Sequence, residues 1–320
     1  MGSIVSMALL FVFGVLLPNA DLGSCGCFKR IFAFGDSIID TGNFRSGSMW
    51  KPPYGGTYFH HPMGRCSDGR LIVDFYALGL PLLPPSGPEE KTGQFPTGAN
   101  FAVSGSVALC PDYYSKRYNF NMGHVCLEWQ LGSFKAVLAR IAPGKAATKS
   151  LLRESLIVFG EIGGNDYNFW FYDRDRSRDT PYEFMPDVIS RIGSGVQEFG
   201  CLKWYNEFSQ KHNQLLKKEV GRLKSRNPGV KIIYADYYGA AMEFVRNPKR
   251  NGINDPLVAC CGGNGPYGTG HDCDLNAKVC RDPSRFANWD QVHMTEKAYS
   301  VIAHGVLNGP YADIPLLHAC

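Results

Sequence analysis

The chain has little net charge and lacks several diagnostic motifs. Its 33 lysines and arginines stand against 29 aspartates and glutamates, and no basic run occurs, which argues against a nucleic-acid partner. Internal repeats and low-complexity segments are absent, which excludes a repeat architecture. Gly-x-Ser-x-Gly is also absent, which excludes the nucleophile elbow of the common α/β-hydrolases. No Asn-x-Ser/Thr sequon occurs, so N-glycosylation gives no support to secretion.

The composition is that of an ordinary globular protein. Of its 320 residues, 44% are hydrophobic and 19% are charged, which is enough for one large α/β domain with a sizeable core.

An apolar, uncharged stretch covers residues 4–17. It is too short to span a bilayer and has the length of a signal-peptide core, although no lysine or arginine precedes it. We therefore predict a signal peptide over residues 1–24, with cleavage between Ala20 and Ser24 and no stable membrane insertion. The alternative is a buried N-terminal segment.

Eleven cysteines indicate an oxidising compartment. Four of them crowd into one glycine-rich stretch, namely Cys260, Cys261, Cys273 and Cys280. Because no repeated CxxC pair occurs there, the pattern argues against zinc and favours disulfides that hold a long loop. The pairing stays open, and the odd total leaves at least one thiol free or intermolecular.

Short apolar runs alternate with helical patterns over much of the chain. The runs that predict buried strands are Ile31–Phe34, Leu156–Phe159 and Lys231–Asp236. The stretches that predict helices are Leu71–Leu80, Trp129–Ile141, Pro181–Ile192, Leu202–Leu223 and a final helix, capped by Thr295, that runs through Leu307. This alternation predicts a doubly wound parallel sheet in one domain, but it fails between Phe159 and Lys231, where two helices follow each other.

Ser37 follows the first predicted strand after Gly35 and Asp36. The polar residues after this strand predict a turn into a helix, with Ser37 at the carboxyl end of the strand, where open α/β sheets place their ligands. A serine becomes a strong nucleophile when a base takes its proton and donors receive the charge on the attacked oxygen.

His293 is the best candidate for that base among eight histidines. Asp290 lies three residues before it, and a carboxylate beside an imidazole fixes the tautomer and stabilises the imidazolium. Asp-x-x-His alone also fits a solvated loop pair. The remaining histidines lack this context and are predicted to be loop or surface residues: His60, His61, His124, His212, His271, His304 and His318.

Three groups could donate to an oxyanion. They are the backbone N–H of Ser37 at a helix N-terminus, the N–H of Gly105, and the side-chain amide of Asn165. Gly105 could equally be a packing glycine, and Asn165 a turn residue.

The order of these motifs resembles the GDSL esterase/lipase family, also called SGNH hydrolases, and is closest to its secreted plant branch. Further blocks share the resemblance, which runs from Ile31 to about Leu317: Gly64-Arg-Cys-Ser-Asp-Gly-Arg-Leu71, Gly200-Cys-Leu-Lys-Trp-Tyr-Asn206, Cys260-Cys-Gly-Gly263 and Gly309-Pro-Tyr-Ala312.

The resemblance implies a flavodoxin-like three-layer α/β sandwich with a parallel sheet, in a single domain over residues 28–318. It implies Ser37 as nucleophile, Asp290 and His293 as its partners, and Ser37, Gly105 and Asn165 as the oxyanion hole. The expected enzyme is a monomeric, extracellular or cell-wall serine hydrolase of small-molecule or polysaccharide-borne carboxylic esters, without metal or organic cofactor. Several aromatic residues could wall its cleft or simply be buried: Tyr54, Tyr58, Phe59, Tyr167, Phe169 and Trp170.

One departure from the family pattern affects the sheet. Plant members carry an additional strand before the Gly-Cys-Leu block, whereas here residues 192–200 run straight into it. We therefore expect a sheet that lacks one strand, in a shortened chain whose neighbouring strand must re-pair or leave backbone groups unsatisfied. A non-catalytic, secreted binding protein is the alternative function.

Overall fold

The computed structural model describes residues 28–76, 80–87, 95–172, 177, 179–193 and 203–319. The predicted signal peptide and most of the stretch where the strand is expected to be missing lie outside these residues.

The described chain alternates strands and helices. The strands are β1 (Arg30–Phe34), β2 (Gly98–Asn100), β3 (Ser155–Phe159), β4 (Asp255–Ala259), β5 (Cys261–Gly262), β6 (Lys278–Val279) and β7 (Phe286–Asn288). The helices are α1 (Ile72–Phe75), α2 (Pro111–Tyr118), α3 (Leu127–Ile141), α4 (Lys145–Arg153), α5 (Gly164–Tyr172), α6 (Thr180–Gly193), α7 (Lys203–Arg226), α8 (Tyr237–Arg246) and α9 (Glu296–Asn308).

The central sheet of the described residues is parallel and has the order β2-β1-β3. Successive side chains of β1 point to opposite faces, so Ile31 and Ala33 enter one hydrophobic core while Phe32 and Phe34 enter another. Helices α8 and α9 pack in the first core, and α3, α6 and α7 pack in the second. These two helical layers on one parallel sheet confirm the predicted α/β sandwich.

The predicted strand Lys231–Asp236 is wrong as a member of this sheet. Its backbone groups bond to the carboxyl-terminal segment instead, through Asp236 N–H to Tyr311 O at 2.7 Å and Asp313 N–H to Tyr234 O at 3.0 Å. Ile232 and Ile233 remain buried, so the apolar pattern was a correct indicator of burial. Pattern alone could not identify the pairing partner.

The helix predicted directly after β1 is also wrong, because residues 37–39 form a single turn. The carboxylate of Asp40 accepts the N–H groups of Gly42, Asn43 and Phe44, at 2.6–3.1 Å. These bonds compete with the helical pattern and end the turn.

The other predicted elements are largely confirmed. The strand over residues 156–159 and the helices over 129–141, 181–192 and 202–223 each match an observed element within a few residues. Thr295 caps α9, since its hydroxyl accepts the N–H of Ala298. The helix predicted over residues 71–80 corresponds to the short helix α1. Residues 77–79 are not among the described residues.

Disulfides hold the glycine-rich loop, as predicted. Cys260 bonds to Cys280 and Cys261 to Cys273. A further disulfide joins Cys110 to Cys126, and Cys66 is a buried free thiol. Among the described residues, no helix is long and apolar enough to cross a membrane, and no His, Cys, Asp and Glu side chains cluster as a metal site would require.

Candidate active site

The turn that carries Ser37 is anchored where β1 ends. Beyond that end, the N–H of Gly160 donates to Phe34 O at 2.8 Å and the N–H of Asp36 donates to Glu161 O at 2.7 Å. A Cβ on Gly35 would lie 2.6 Å from Glu161 O, so this close approach requires glycine. The parallel sheet thereby presents Ser37 at its carboxyl-terminal edge.

The structure brings Ser37, His293 and Asp290 together. Nε2 of His293 lies 2.8 Å from Oγ of Ser37, a contact across 256 residues of sequence. Nδ1 of the same ring lies 2.8 Å from Oδ2 and 3.0 Å from Oδ1 of Asp290. A hydroxyl, an imidazole and a carboxylate in this order can move a proton away from the hydroxyl oxygen.

Asp290 is fixed by the loop between β7 and α9. Its Oδ1 accepts the backbone N–H groups of Val292 at 3.1 Å and His293 at 2.7 Å. The N–H of Trp289 donates to His293 O at 2.7 Å, which closes the loop. The Asp-x-x-His spacing therefore suits a compact turn in which the carboxylate reaches the imidazole.

Tyr54 supplies a contact that the sequence did not assign. Its hydroxyl donates to Oδ2 of Asp290 at 2.7 Å, and its ring packs edge-on against Trp289. The sequence marked Tyr54 only as a candidate cleft wall. No local pattern connects it to a carboxylate 236 residues away, so this role could not be identified from the sequence.

The charges in this cluster shift each other's ionisation. Burial alone would raise the pKa of Asp290, but His293 and the hydroxyl of Tyr54 lower it to about 2. Burial alone would lower the pKa of His293, but the Asp290 carboxylate, with the Cys66 thiol nearby, raises it well above its ordinary value. The site therefore stabilises an imidazolium beside Ser37.

Gly105 and Asn165 both lie near the Ser37 turn. Gly105, with φ of +80°, occupies a tight turn closed by the N–H of Ser106 donating to Val103 O at 3.0 Å. The N–H of Val103 in turn donates to Gly35 O at 3.2 Å. Nδ2 of Asn165 donates to Oδ2 of Asp36 at 3.2 Å and to Ser106 O at 3.0 Å. The Gly105 turn and the start of α5, which carries Asn165, are thus tied to the two residues that precede Ser37.

Two buried carboxyl groups lie behind the nucleophile. Burial raises the pKa of Asp36. Burial also raises the pKa of Glu161 well above its ordinary value, and the neighbouring Asp36 raises it further. Neither oxygen of the Glu161 carboxyl has a hydrogen-bond partner in the described structure. No motif in the sequence marks Glu161 for a role.

The remaining histidine and aromatic candidates lie beside the Gly105 turn, in the hydrophobic core or on the surface. Phe169 stacks on His124 with ring centroids 4.2 Å apart, and a Cβ on Gly105 would lie 3.4 Å from His124 Nδ1. This pair therefore borders the Gly105 turn. His212 is fully buried in α7, so its prediction as a loop or surface residue is wrong. The other aromatic candidates are core or surface side chains: Tyr167 and Trp170 are buried, Phe59 is half-buried and Tyr58 is exposed.

Comparisons with known proteins give one consistent family. A family model described as GDSL-like lipase/acylhydrolase matches residues 31–306. A GDSL esterase/lipase of Arabidopsis thaliana is 40% identical over 375 residues, covering 100% of this chain and 96% of the relative. A sinapine esterase of Brassica napus is 36% identical over 370 residues, covering 99% and 95%.

The first alignment also bears on chain length. It spans 375 residues, and this chain has 320, so at least 55 aligned positions of the relative have no counterpart here. The match nevertheless extends over the whole sequence. The chain belongs to the GDSL-like lipase/acylhydrolase family of carboxylic ester hydrolases.

Proposed function

We propose that this chain is a secreted serine esterase that hydrolyses acyl or acetyl esters through a covalent acyl-enzyme. The observation that carries the proposal is the continuous contact from Ser37 Oγ through the His293 ring to the Asp290 carboxylate, with both links at 2.8 Å. The relatives' names as esterases support the reaction class.

The proposed reaction has two halves. Oγ of Ser37 attacks the acyl carbonyl while Nε2 of His293 takes its proton. The tetrahedral intermediate then expels the alkoxide, which receives that proton, and the acyl-enzyme remains. Water then attacks the acyl-enzyme, with His293 again as base, and the acid leaves as Ser37 regains its proton. Asp290 holds the ring and stabilises the imidazolium in both halves.

The N–H groups of Ser37 and Gly105 and the amide of Asn165 are proposed to bind the oxyanion. The amide of Asn165 is already engaged with Asp36 and Ser106, so it would serve the oxyanion by sharing one of these hydrogen bonds. The anchoring of all three segments within one cluster supports this assignment, because preorganised donors need no rearrangement when charge develops.

Asn165→Ala is expected to lower kcat by about 100- to 1,000-fold while KM changes little, because the lost donor acts mainly in the transition state. Steady-state hydrolysis of a short-chain nitrophenyl ester measures both constants. Asn168→Ala is the control. Asn168 lies three residues after Asn165 in the same helix and makes no hydrogen bond to the described residues of this cluster. A kcat within threefold of wild type would remove Asn165 from the oxyanion hole.

Secretion is part of the proposal. The apolar stretch at residues 4–17 and the disulfides of the cysteine loop support it, because disulfides persist in oxidising compartments. We further propose that the protein acts as a monomer on small-molecule or polysaccharide-borne esters, without cofactor.

A fluorophosphonate probe tests the function directly. We expect the mature protein to be labelled at one residue, Ser37, because only a serine activated by a neighbouring base attacks the probe efficiently. Peptide mapping by mass spectrometry identifies the modified residue. A folded protein that binds esters but is neither labelled nor active would instead be the non-catalytic binding protein.

A further inference from the structure

Gln130 is buried behind the candidate active site and has no part in the reaction proposed above. It lies in the first turns of α3 and is 2% exposed. Its side-chain amide contacts both segments on which the proposed chemistry depends, the turn of Ser37 and the turn of Gly105.

The first contact is with Gly35, two residues before Ser37. The N–H of Gly35 donates to Oε1 of Gln130 at 3.0 Å, and Nε2 of Gln130 donates to Gly35 O at 2.8 Å. A carboxamide carries the same donor and acceptor as a peptide group. Gln130 therefore pairs with Gly35 as a neighbouring strand would, at the point where β1 has ended.

The second contact is with Ser106, directly after Gly105. Nε2 of Gln130 donates to Oγ of Ser106 at 3.0 Å. Both N–H groups of the amide are thus used, one on each segment. One planar group fixes the separation between the nucleophile turn and the Gly105 turn.

The start of α3, the helix that carries Gln130, is itself anchored. Just before α3, Cys126 is joined to Cys110 by a disulfide. The N–H of Leu127 donates to Val107 O at 3.0 Å, and the N–H of Val107 donates to Val125 O at 2.9 Å. The start of the helix that carries Gln130 is therefore held by the segment that follows Ser106.

We propose that Gln130 is a positioning residue that sets the distance between the Ser37 nucleophile and the Gly105 oxyanion donor. This proposal rests on the proposed esterase function. Displacement of reacting groups by about 1 Å can cost roughly 100-fold in rate, and the bridge opposes such a displacement. A glutamine is required, because a carboxylate in its place would face Gly35 O and lack both donors.

Gln130→Leu and Gln130→Glu test the proposal. For both we expect kcat on a nitrophenyl ester to fall about 100-fold with KM changed by less than about threefold, since binding is retained and alignment is lost. The rate of fluorophosphonate labelling at Ser37 should fall in step. Values of kcat within threefold of wild type, in variants that melt cooperatively, would overturn the proposal.

A control variant separates positioning from loss of stability. Tyr237→Phe removes one hydroxyl of the buried Tyr76–Tyr237 hydrogen bond in the other core, which lies outside the proposed site. Assayed at temperatures well below each Tm, Tyr237→Phe should keep the wild-type kcat. If it loses as much kcat as the Gln130 variants do for the same fall in Tm, Gln130 is only structural and the proposal is wrong.

A double variant tests the route of the effect. Because Ser106 is one of the two groups that Gln130 holds, Ser106→Ala should cost less than Gln130→Leu, and adding it to Gln130→Leu should lower kcat little further. Fully additive losses would contradict a shared bridge. An active wild type with unaffected Gln130 variants refutes this proposal alone, whereas an inactive, unlabelled wild type refutes the esterase function and this proposal together.

Discussion

Ser37→Ala should lower kcat on a short-chain nitrophenyl ester by about 10⁴- to 10⁶-fold, because the variant lacks the hydroxyl that is proposed to form the acyl-enzyme. His293→Ala should cause a comparable loss, since the ring lies 2.8 Å from Ser37 Oγ and is the proposed base for this hydroxyl. The two losses should not add in the double variant, because nucleophile and base act as one unit.

The comparison needs a serine outside the proposed site. Ser225→Ala is suitable, because Ser225 is exposed on α7 and its hydroxyl donates to Gly221 O of its own helix. It should hydrolyse the ester at the wild-type rate. Retention of substantial turnover by Ser37→Ala, with Ser225→Ala as reference, would exclude Ser37 as the nucleophile.

The residues that meet in this site could be proposed from the sequence because each carries a local signal and because the order of these motifs along the chain resembles that of a known family. Ser37 follows a buried strand, and Asp290 lies within one turn of His293, so strand register and loop spacing limit where their side chains can go. The positive φ of Gly105 has a similar local cause, a four-residue turn. Strand β1 and helix α9 were predictable because burial repeats with the period of each element.

The contacts that lack such a signal could not be predicted. Tyr54 contacts Asp290 from a proline-rich loop. Gln130 contacts Gly35, but in the sequence it is only one polar residue within a predicted helix. Residues 231–236 pair with residues 311–313, which lie far away in the sequence. Which segment pairs with which is decided by the arrangement of the whole fold and not by either segment alone. Hydrophobic pattern reports burial, whereas the partner of a buried polar group is fixed by tertiary packing.

The His293–Asp290 pair gives a prediction for pH. Since His293 must be neutral to accept the Ser37 proton, activity should fall as pH drops through the pKa of His293. The Asp290 carboxylate raises this pKa well above its ordinary value, so the acid limb of kcat/KM should lie above pH 6.5. A profile that stays flat down to pH 4 would contradict His293 as the base.

Asp290→Asn should lower kcat by about 10⁴-fold, because the amide cannot stabilise the imidazolium and favours the wrong tautomer of the ring. It should also move the acid limb of the residual activity to lower pH, since the charge that raises the His293 pKa is gone. Asp274→Asn is the matched control: it removes an exposed carboxylate that contacts His271 Nε2 at 3.0 Å, also at a spacing of three residues, and should change neither quantity. A loss of rate without the shift of the limb would mean that Asp290 only orients the ring, whereas both together require its charge to act on the proton that His293 carries.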